Sequence, residues 1–240
     1  MPLQENNLNM LDDGQKKQVL MQREKQQHKD FQTVFDITPF GETLDNFIIK
    51  EWVRDPTIVS ARHHAAYLFY HNGIYYRKEV IDIWCGTWLM WIVMVKYGAK
   101  KVTMTDISQK AVENAKANIQ HFGLKNATAR ESDLFSNITG KVDCITFMQP
   151  YFAGNPPEGD TISASMLANP ELIRRFLQEA KNHLNPWWVI IMPSFSLAGE
   201  LNDPVILWKE FGYEVTTTFI TDSISWLQQG TIAMHELRIA

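Results

Sequence analysis

The sequence predicts an α/β fold: a doubly wound, seven-stranded and mostly parallel sheet with a C-terminal antiparallel hairpin, preceded by an N-terminal helical extension. From Glu79 onward, short apolar runs alternate with amphipathic stretches of helical length. Continuously apolar strands are typical of a parallel sheet that helices cover on both faces. The last two apolar runs are joined by a loop without a helical pattern, which indicates an antiparallel pair.

The strands and helices of this region can be placed from the pattern. The predicted strands are 79–83, 101–105, 127–131, 142–147, 188–192, 214–220 and 231–239. The predicted helices are 88–97, 108–122, 170–184 and 203–211. Ser108 is a favourable N-cap for the second helix, and Gly123 ends it. Pro170 and Glu171 suit the first turn of the third helix.

The chain before the sheet divides into two parts. Residues 1–35 are polar and predict a solvated helix with a frayed end. Residues 36–78 are predicted to form a helical cap on the sheet domain, which spans 79–240. Two apolar stripes with helical spacing support the cap, namely Phe40, Leu44, Phe47, Ile48 and Trp52, then Ala65, Ala66, Leu68 and Phe69.

Composition excludes several classes of protein. The 240 residues are 45% hydrophobic and 21% charged, which suits a globular core. The formal charge of -4 argues against a strongly basic nucleic-acid surface. Cys85 and Cys144 lie in apolar strand contexts, so buried thiols in a reducing compartment are favoured over a disulfide.

The sequence predicts a cytoplasmic protein without a metal site. No Cys/His cluster has the spacing of metal ligands. The adjacent His63 and His64 would point apart on a helix, which favours a surface role for them. The polar start does not resemble a signal peptide. No apolar run approaches the roughly 18 residues that a membrane span needs.

A nucleotide-binding βαβ unit is predicted around Gly86. A buried strand, a tight turn and a helix start follow one another over residues 80–91, and Asp106 ends the next strand twenty residues past Gly86. Ligands of such sheets bind beyond the C-terminal strand ends, where Asp82, Asp106 and Asp133 are expected. Asp106 would accept both ribose hydroxyls of a nucleoside, and Asp133 an exocyclic amine of a purine, with Leu134 on the base. The alternative role for each acid is to cap a helix or turn.

A second group of candidate residues follows the fourth strand. Prolines and aromatics at this edge form a rigid rim, where an aromatic ring can stack on a flat substrate and carbonyl groups can face an amine. The segment reads Met148, Gln149, Pro150 and Tyr151. The alternative is a strand-ending turn with two core aromatics, and the neighbouring acids favour the rim. The turn-rich loop 154–160 is expected to border the same cleft.

Residues 79–240 resemble a class I S-adenosylmethionine-dependent methyltransferase, with close similarity to the small-domain and amide or amine N-methyltransferases. The family's first motif is a hydrophobic strand, an acid and then Gly-Cys-Gly-Thr-Gly; residues 80–88 read Val-Ile-Asp-Ile-Trp-Cys-Gly-Thr-Trp. The family acids after the second and third strands match Asp106 and Asp133. The fourth-strand motif, (Asn/Asp)-Pro-Pro-(Tyr/Phe), falls on residues 148–151.

The resemblance implies roles for ten residues and a cofactor, S-adenosylmethionine. The implied cofactor-binding residues are Asp82, Cys85, Gly86, Asp106, Ile107, Asp133, Leu134 and Met148. Gln149 and Tyr151 are the candidate catalytic residues, with Tyr151 bordering the acceptor. The implied partner is a methyl acceptor, an amine or amide nitrogen of a protein, nucleobase or small molecule. In the family an Asn or Asp at position 148 accepts from the amine; a thioether is too weak an acceptor, and Gln149 can serve only if the chain turns there.

Tryptophan replaces glycine at several family positions, which conflicts with cofactor binding. The affected motif positions are Trp84, Trp88, Trp91, Trp187 and Trp188, and Trp208 and Trp226 also lie where a small residue would fit. A side chain at a left-handed position costs roughly 1–2 kcal/mol. Some bacterial genetic codes read the codon UGA as glycine and others as tryptophan. We therefore hypothesise that these tryptophans are glycines decoded under the wrong code.

Two other functions share parts of the pattern. A nicotinamide-dependent oxidoreductase has the same strand, glycine loop and acid, but residues 85–87 read Cys-Gly-Thr and no hydride-transfer pair is apparent. A non-catalytic relative that keeps the sheet as a binding scaffold would explain the tryptophans and Met148 as they stand. Titration with S-adenosylhomocysteine and NAD distinguishes the methyltransferase, the oxidoreductase and the non-catalytic scaffold.

Overall fold

The computed structural model describes residues 3–26, 28–36, 42–56, 61–86, 89–224 and 229–239. Its strands are β1 (Phe31–Asp36), β2 (Thr43–Ile49), β3 (Glu79–Ile83), β4 (Lys101–Asp106), β5 (Ala127–Glu131), β6 (Val142–Phe147), β7 (Phe152–Ala153), β8 (Leu167–Ala168), β9 (Leu184–Phe195), β10 (Tyr213–Ile224) and β11 (Gln229–Ile239). Its α-helices are α1 (Asp13–Glu24), α2 (Ala61–Tyr70), α3 (Met90–Lys96), α4 (Gln109–His121), α5 (Thr161–Ala164), α6 (Pro170–Ala180) and α7 (Pro204–Leu207).

Seven strands form the central sheet, in the order β10-β11-β9-β6-β3-β4-β5. The strands from β9 to β5 run parallel, while β11 is antiparallel to both β9 and β10. This confirms the predicted doubly wound sheet and its C-terminal hairpin. Because β3 lies between β4 and β6, the turns after these three strands meet at one edge of the sheet.

The second and third predicted helices begin where expected because their capping groups are used. The Ser108 hydroxyl accepts from the Ala111 N–H at the start of α4, and the Asn169 side chain caps α6 ahead of Pro170. The first of the predicted helices is shorter than expected, since α3 begins at Met90. The predicted helix over 203–211 is the short α7 followed by a 3-10 turn.

Residues 42–56 do not form the predicted helix of the cap. Thr43–Ile49 is instead the strand β2, which pairs antiparallel with β1 (Phe31–Asp36) inside the segment expected to be a polar helix. A β-bulge causes the error: Asn46 has φ 60°, and the register shifts by one residue there. Leu44 and Phe47 are therefore both buried at a spacing of three, which imitates a helix. Phe40 lies outside the described residues.

The other N-terminal elements are helical, as predicted. Asp12 caps α1 through a capping box with Gln15, and α2 covers the second apolar stripe. The β1–β2 hairpin packs on α4, where two buried asparagines bind its backbone. Asn118 Oδ1 accepts from the Ile48 N–H at 2.8 Å, and Asn114 Oδ1 accepts from the Lys50 N–H at 3.0 Å. These contacts hold the N-terminal extension beside the edge where β4 ends.

The strand β9 begins earlier than predicted and is interrupted by a bulge. Val142 pairs with Leu184 and Cys144 pairs with Val189, so β9 carries three extra residues between those pairs. Trp187 lies in this bulge with φ 69° and is 91% exposed. In the described part of the chain, no helix is long and apolar enough to cross a membrane.

Candidate functional site

A cavity of about 460 Å³ opens at the edge where β3 and β4 end. Its lining comes from the turn after β3, the start of α4, the segment after β2 and the loop before and within α5. The lining residues are Val53, Arg54, Trp84, Gly86, Asp106, Ile107, Ser108, Ala111, Pro157, Glu158, Gly159, Asp160, Thr161, Ala164 and Ser165. This volume is within the range of small-molecule sites, and its position is the one at which open α/β sheets bind ligands.

Asp106 presents a buried carboxylate to this cavity. Its Oδ2 accepts from the Gly86 N–H at 3.0 Å, and its Oδ1 accepts from the Ser108 N–H at 2.8 Å. A carboxylate has about four acceptor sites, so capacity remains for two hydroxyl donors. Burial raises the pKa of Asp106 to about 6, although these N–H groups oppose the rise. The geometry suits a diol ligand at neutral pH.

Asp82 and Cys85 lie behind the turn rather than on the cavity wall. Asp82 Oδ1 accepts from the Thr146 hydroxyl at 2.5 Å, which ties β3 to β6. Burial raises the pKa of Asp82 to about 7 and raises the pKa of the Cys85 thiol. The Cys85 N–H donates to the Thr105 carbonyl at 2.9 Å. Both residues shape the turn that presents Gly86.

Trp84 occupies a strained position on the cavity wall. Its φ is 63°, in the left-handed region that a bulky side chain rarely adopts. The indole lines the cavity, with its ring centroid 6.3 Å from that of Phe147. Trp187 has the same type of backbone, whereas Trp91 is fully buried in α3. Trp88 and Trp226 lie outside the described residues. Two of the hypothesised glycine positions thus have the backbone that favours glycine.

The predicted adenine contacts separate in the structure. Ile107 is half exposed and lines the cavity beside Asp106. Asp133 is absent from the described lining and forms an ion pair with Arg175 at 3.0 Å, with both side chains partly exposed. Leu134 has φ 46° and packs in a hydrophobic cluster under α6. The structure therefore brings Ile107, but neither Asp133 nor Leu134, to the cavity.

The segment after β6 is buried beside the turn of β3. Met148 packs in the core, and the Gln149 Nε2 donates to the Pro193 carbonyl at 2.6 Å. Among the described atoms, the buried Gln149 Oε1 has no hydrogen-bond partner. The Tyr151 hydroxyl lies 3.1 Å from His64 Nε2, and burial lowers the pKa of His64 to about 3. Met148, Gln149 and Tyr151 all lie outside the described cavity lining.

Arg54 and His64 are site residues that the sequence did not reveal. His64 was assigned to a surface, yet α2 places it inside, against Tyr151. Arg54 follows a hairpin that was predicted as a helix, so its place on the cavity wall had no sequence signal. In the described part of the chain, no group of three or more His, Cys, Asp or Glu side chains could hold a metal ion.

Comparisons with known proteins agree with this geometry. The family model described as methyltransferase small domain matches residues 71–213. The chain belongs to the methyltransferase small domain family. It is accordingly a class I S-adenosylmethionine-dependent methyltransferase, as the sequence predicts.

The relatives cover different shares of the chain. A protein of Methanocaldococcus jannaschii named as a protein N5-glutamine methyltransferase is 36% identical over 146 residues, which are 58% of this chain and 72% of that protein. A ribosomal protein L11 methyltransferase of Thermosipho africanus is 35% identical over 119 residues, 48% of this chain but only 40% of the relative. The solved ribosomal protein L11 methylase of Lactobacillus delbrueckii subsp. bulgaricus has a TM-score of 0.54 at 16% identity, covering 86% of this chain and 98% of that one. The last likeness shows the fold alone.

The cavity fits the cofactor that the family implies, with one exception. Asp106, Gly86 and Ile107 offer a diol acceptor, a close backbone approach and an apolar surface in one place. The exception is the Trp84 indole, which occupies part of the wall next to Gly86.

We expect the binding of S-adenosylhomocysteine to weaken as the pH falls through about 6. Burial raises the pKa of Asp106 to that value, so below it the carboxyl becomes protonated and loses acceptor capacity. If only the ionised form binds, the affinity at pH 5 is about tenfold lower than at pH 7. Isothermal titration calorimetry from pH 5 to 8 measures this. Asp82→Asn should retain the dependence and Asp106→Asn should abolish it; the reverse pattern would assign the titration to Asp82.

Proposed function

We propose that the protein binds S-adenosylmethionine in the described cavity and transfers its methyl group to an amine or amide nitrogen. The observation that carries this proposal is the buried Asp106 carboxylate on the wall of a cavity at the C-terminal ends of β3 and β4. When bound, the cofactor supplies a methyl group on a sulfonium, which a nitrogen lone pair can attack. The chain contributes mainly by placing the two reactants.

The cofactor contacts follow from the wall of the cavity. Asp106 accepts the ribose hydroxyls, the Gly86 region approaches the cofactor through its backbone, and Ile107 packs on the adenine. Asp82 and Cys85 act through the turn, since both are buried behind it. The family motif also implies adenine contacts from Asp133 and Leu134, for which Asp133 would have to part from Arg175.

The acceptor site is proposed at the segment after β6. The buried Gln149 Oε1 is an acceptor without a partner among the described atoms, which suits an N–H of the methyl acceptor. Tyr151, fixed by His64, borders the same segment. Met148 packs in the core and lies outside the described cavity lining. The name of the Methanocaldococcus jannaschii relative, a glutamine N5 methyltransferase, supports an amide nitrogen of a protein as the acceptor.

One experiment tests both cofactor use and the acceptor site. Transfer of a labelled methyl group from S-adenosylmethionine to glutamine-containing peptides should be detectable, and Gln149→Ala should lower kcat by about 10- to 100-fold while cofactor affinity stays unchanged. Gln149→Glu tests whether an acceptor oxygen alone suffices. Binding of NAD in place of S-adenosylhomocysteine would favour the oxidoreductase, and binding of neither would favour the scaffold.

The domain division and location remain proposals. We propose that residues 79–240 form the catalytic unit and that residues 36–78 cover its cofactor edge, with residues 1–35 as a further N-terminal segment. Both cysteines are free and buried, which suits the proposed reducing cytoplasm.

A further inference from the structure

Part of the cavity wall lies outside the residues that match the family. The family match begins at residue 71, whereas Val53 and Arg54 line the cavity from the segment after β2. This segment is joined to the loop that forms the facing part of the wall, because the Thr161 hydroxyl donates to the Trp52 carbonyl. The N-terminal extension is therefore a structural part of the ligand site.

Arg54 is the basic residue of that wall. Every other charged residue in the described lining is acidic, namely Asp106, Glu158 and Asp160. Arg54 lines the cavity and is only 6% exposed, so it has little access to bulk water. A buried cation is costly unless an anion or several acceptors compensate it.

Two neutral acceptors help to hold the guanidinium in place. Nη1 donates to the Ser165 carbonyl at 3.1 Å, and Nη2 donates to the Gln22 Oε1 at 2.6 Å. Gln22 belongs to α1, so the first helix of the chain helps to orient a group on the cavity wall. Burial lowers the pKa of Arg54 to about 10, which leaves it protonated at neutral pH.

We propose that Arg54 binds the carboxylate of the amino-acid portion of S-adenosylmethionine. The inference rests on the proposed function and adds a contact from outside the family match. The adenosyl portion requires a diol acceptor, which Asp106 provides, and the other end of the cofactor carries one anionic group. A guanidinium is the side chain that best matches a carboxylate.

Two ligands separate this role from a structural one. S-adenosylhomocysteine carries the carboxylate, while 5′-methylthioadenosine has the same adenosyl thioether without the amino-acid group. In the full chain carrying Trp84→Gly and Trp88→Gly, Arg54→Gln should weaken binding of the first ligand by about 10- to 100-fold and leave the second unchanged. Arg54→Lys keeps the positive charge but not the planar pair of N–H donors, so it should lose less affinity for S-adenosylhomocysteine than Arg54→Gln does. Isothermal titration calorimetry measures both affinities.

A second arginine provides the matched control. Arg23 on α1 bonds to Asp160 at 2.9 Å and to the Ser163 hydroxyl at 3.0 Å, so it supports the same wall. Arg23→Gln should alter both affinities by a similar factor, because it loosens the wall without removing a ligand contact. If Arg54→Gln weakens the binding of both ligands equally, or of neither, the role proposed for Arg54 is overturned while the proposed function stands. A parent chain that binds neither ligand would overturn the proposed function and this inference together.

Discussion

Trp84→Gly is expected to tighten the binding of S-adenosylhomocysteine by about 10- to 100-fold, which corresponds to roughly 1.4–2.8 kcal/mol. The indole leaves the cavity wall, and the backbone next to Gly86 can approach the ligand. The left-handed φ of 63° also becomes favourable, since glycine adopts it without the roughly 1–2 kcal/mol cost of a side chain. Calorimetric titration of the purified variant and the parent measures the change.

Trp187→Gly is the matched control for this substitution. Trp187 has nearly the same φ, 69°, but is 91% exposed and does not belong to the described cavity lining. Trp187→Gly should leave the affinity for S-adenosylhomocysteine unchanged. It should raise the free energy of unfolding by up to about 1 kcal/mol, because the relief of backbone strain outweighs the entropy that glycine adds to the unfolded chain. An equal affinity gain in both variants would mean that backbone strain, rather than the indole, limits binding. The codons decide the decoding hypothesis: UGG at positions 84 and 188 would exclude it.

Asp106→Asn should weaken the binding of S-adenosylhomocysteine by at least about 100-fold, because two charge-assisted hydrogen bonds contribute about 1.5–3 kcal/mol each. The asparagine amide also places its NH₂ group against the N–H of either Gly86 or Ser108. One of the two hydrogen bonds between residue 106 and the backbone is therefore lost. Calorimetry measures the affinity, and a thermal melt of the same sample separates it from loss of folding.

Asp133→Asn provides the comparison for the second predicted acid. Asp133 pairs with Arg175 at a partly exposed position, where an ion pair contributes about 0–1 kcal/mol. We expect a change in affinity of less than about fivefold, since the side chain is outside the described lining. A loss as large as that of Asp106→Asn would show that Asp133 contacts the adenine as the family motif implies.

The sheet could be predicted because strand-length apolar runs alternate with amphipathic stretches of helical length, which is typical of a parallel sheet covered by helices. The order of its strands came from the structure alone. The hairpin β1–β2 could not, since the bulge at Asn46 converts the two-residue strand period into a spacing of three. Asn114 and Asn118 had no signal either. Their burial depends on bonds to the backbone of β2, which lies far away in the sequence.

The candidate site was predictable where it follows directly from strand ends. Gly86, Asp106 and Ile107 reach the cavity because they are fixed by the ends of β3 and β4. Arg54 was not predictable, because its position depends on how a distant segment packs. A surface role was predicted for both histidines, whereas the structure buries His64 completely and leaves His63 half-buried.

The contact between the segment after β2 and the loop around Thr161 brings together residues more than one hundred positions apart. The cavity is therefore complete only when this long-range closure has formed. A ligand that occupies it stabilises the closure by mass action. Resistance of the first fifty residues to proteolysis should thus follow the cellular supply of the cofactor.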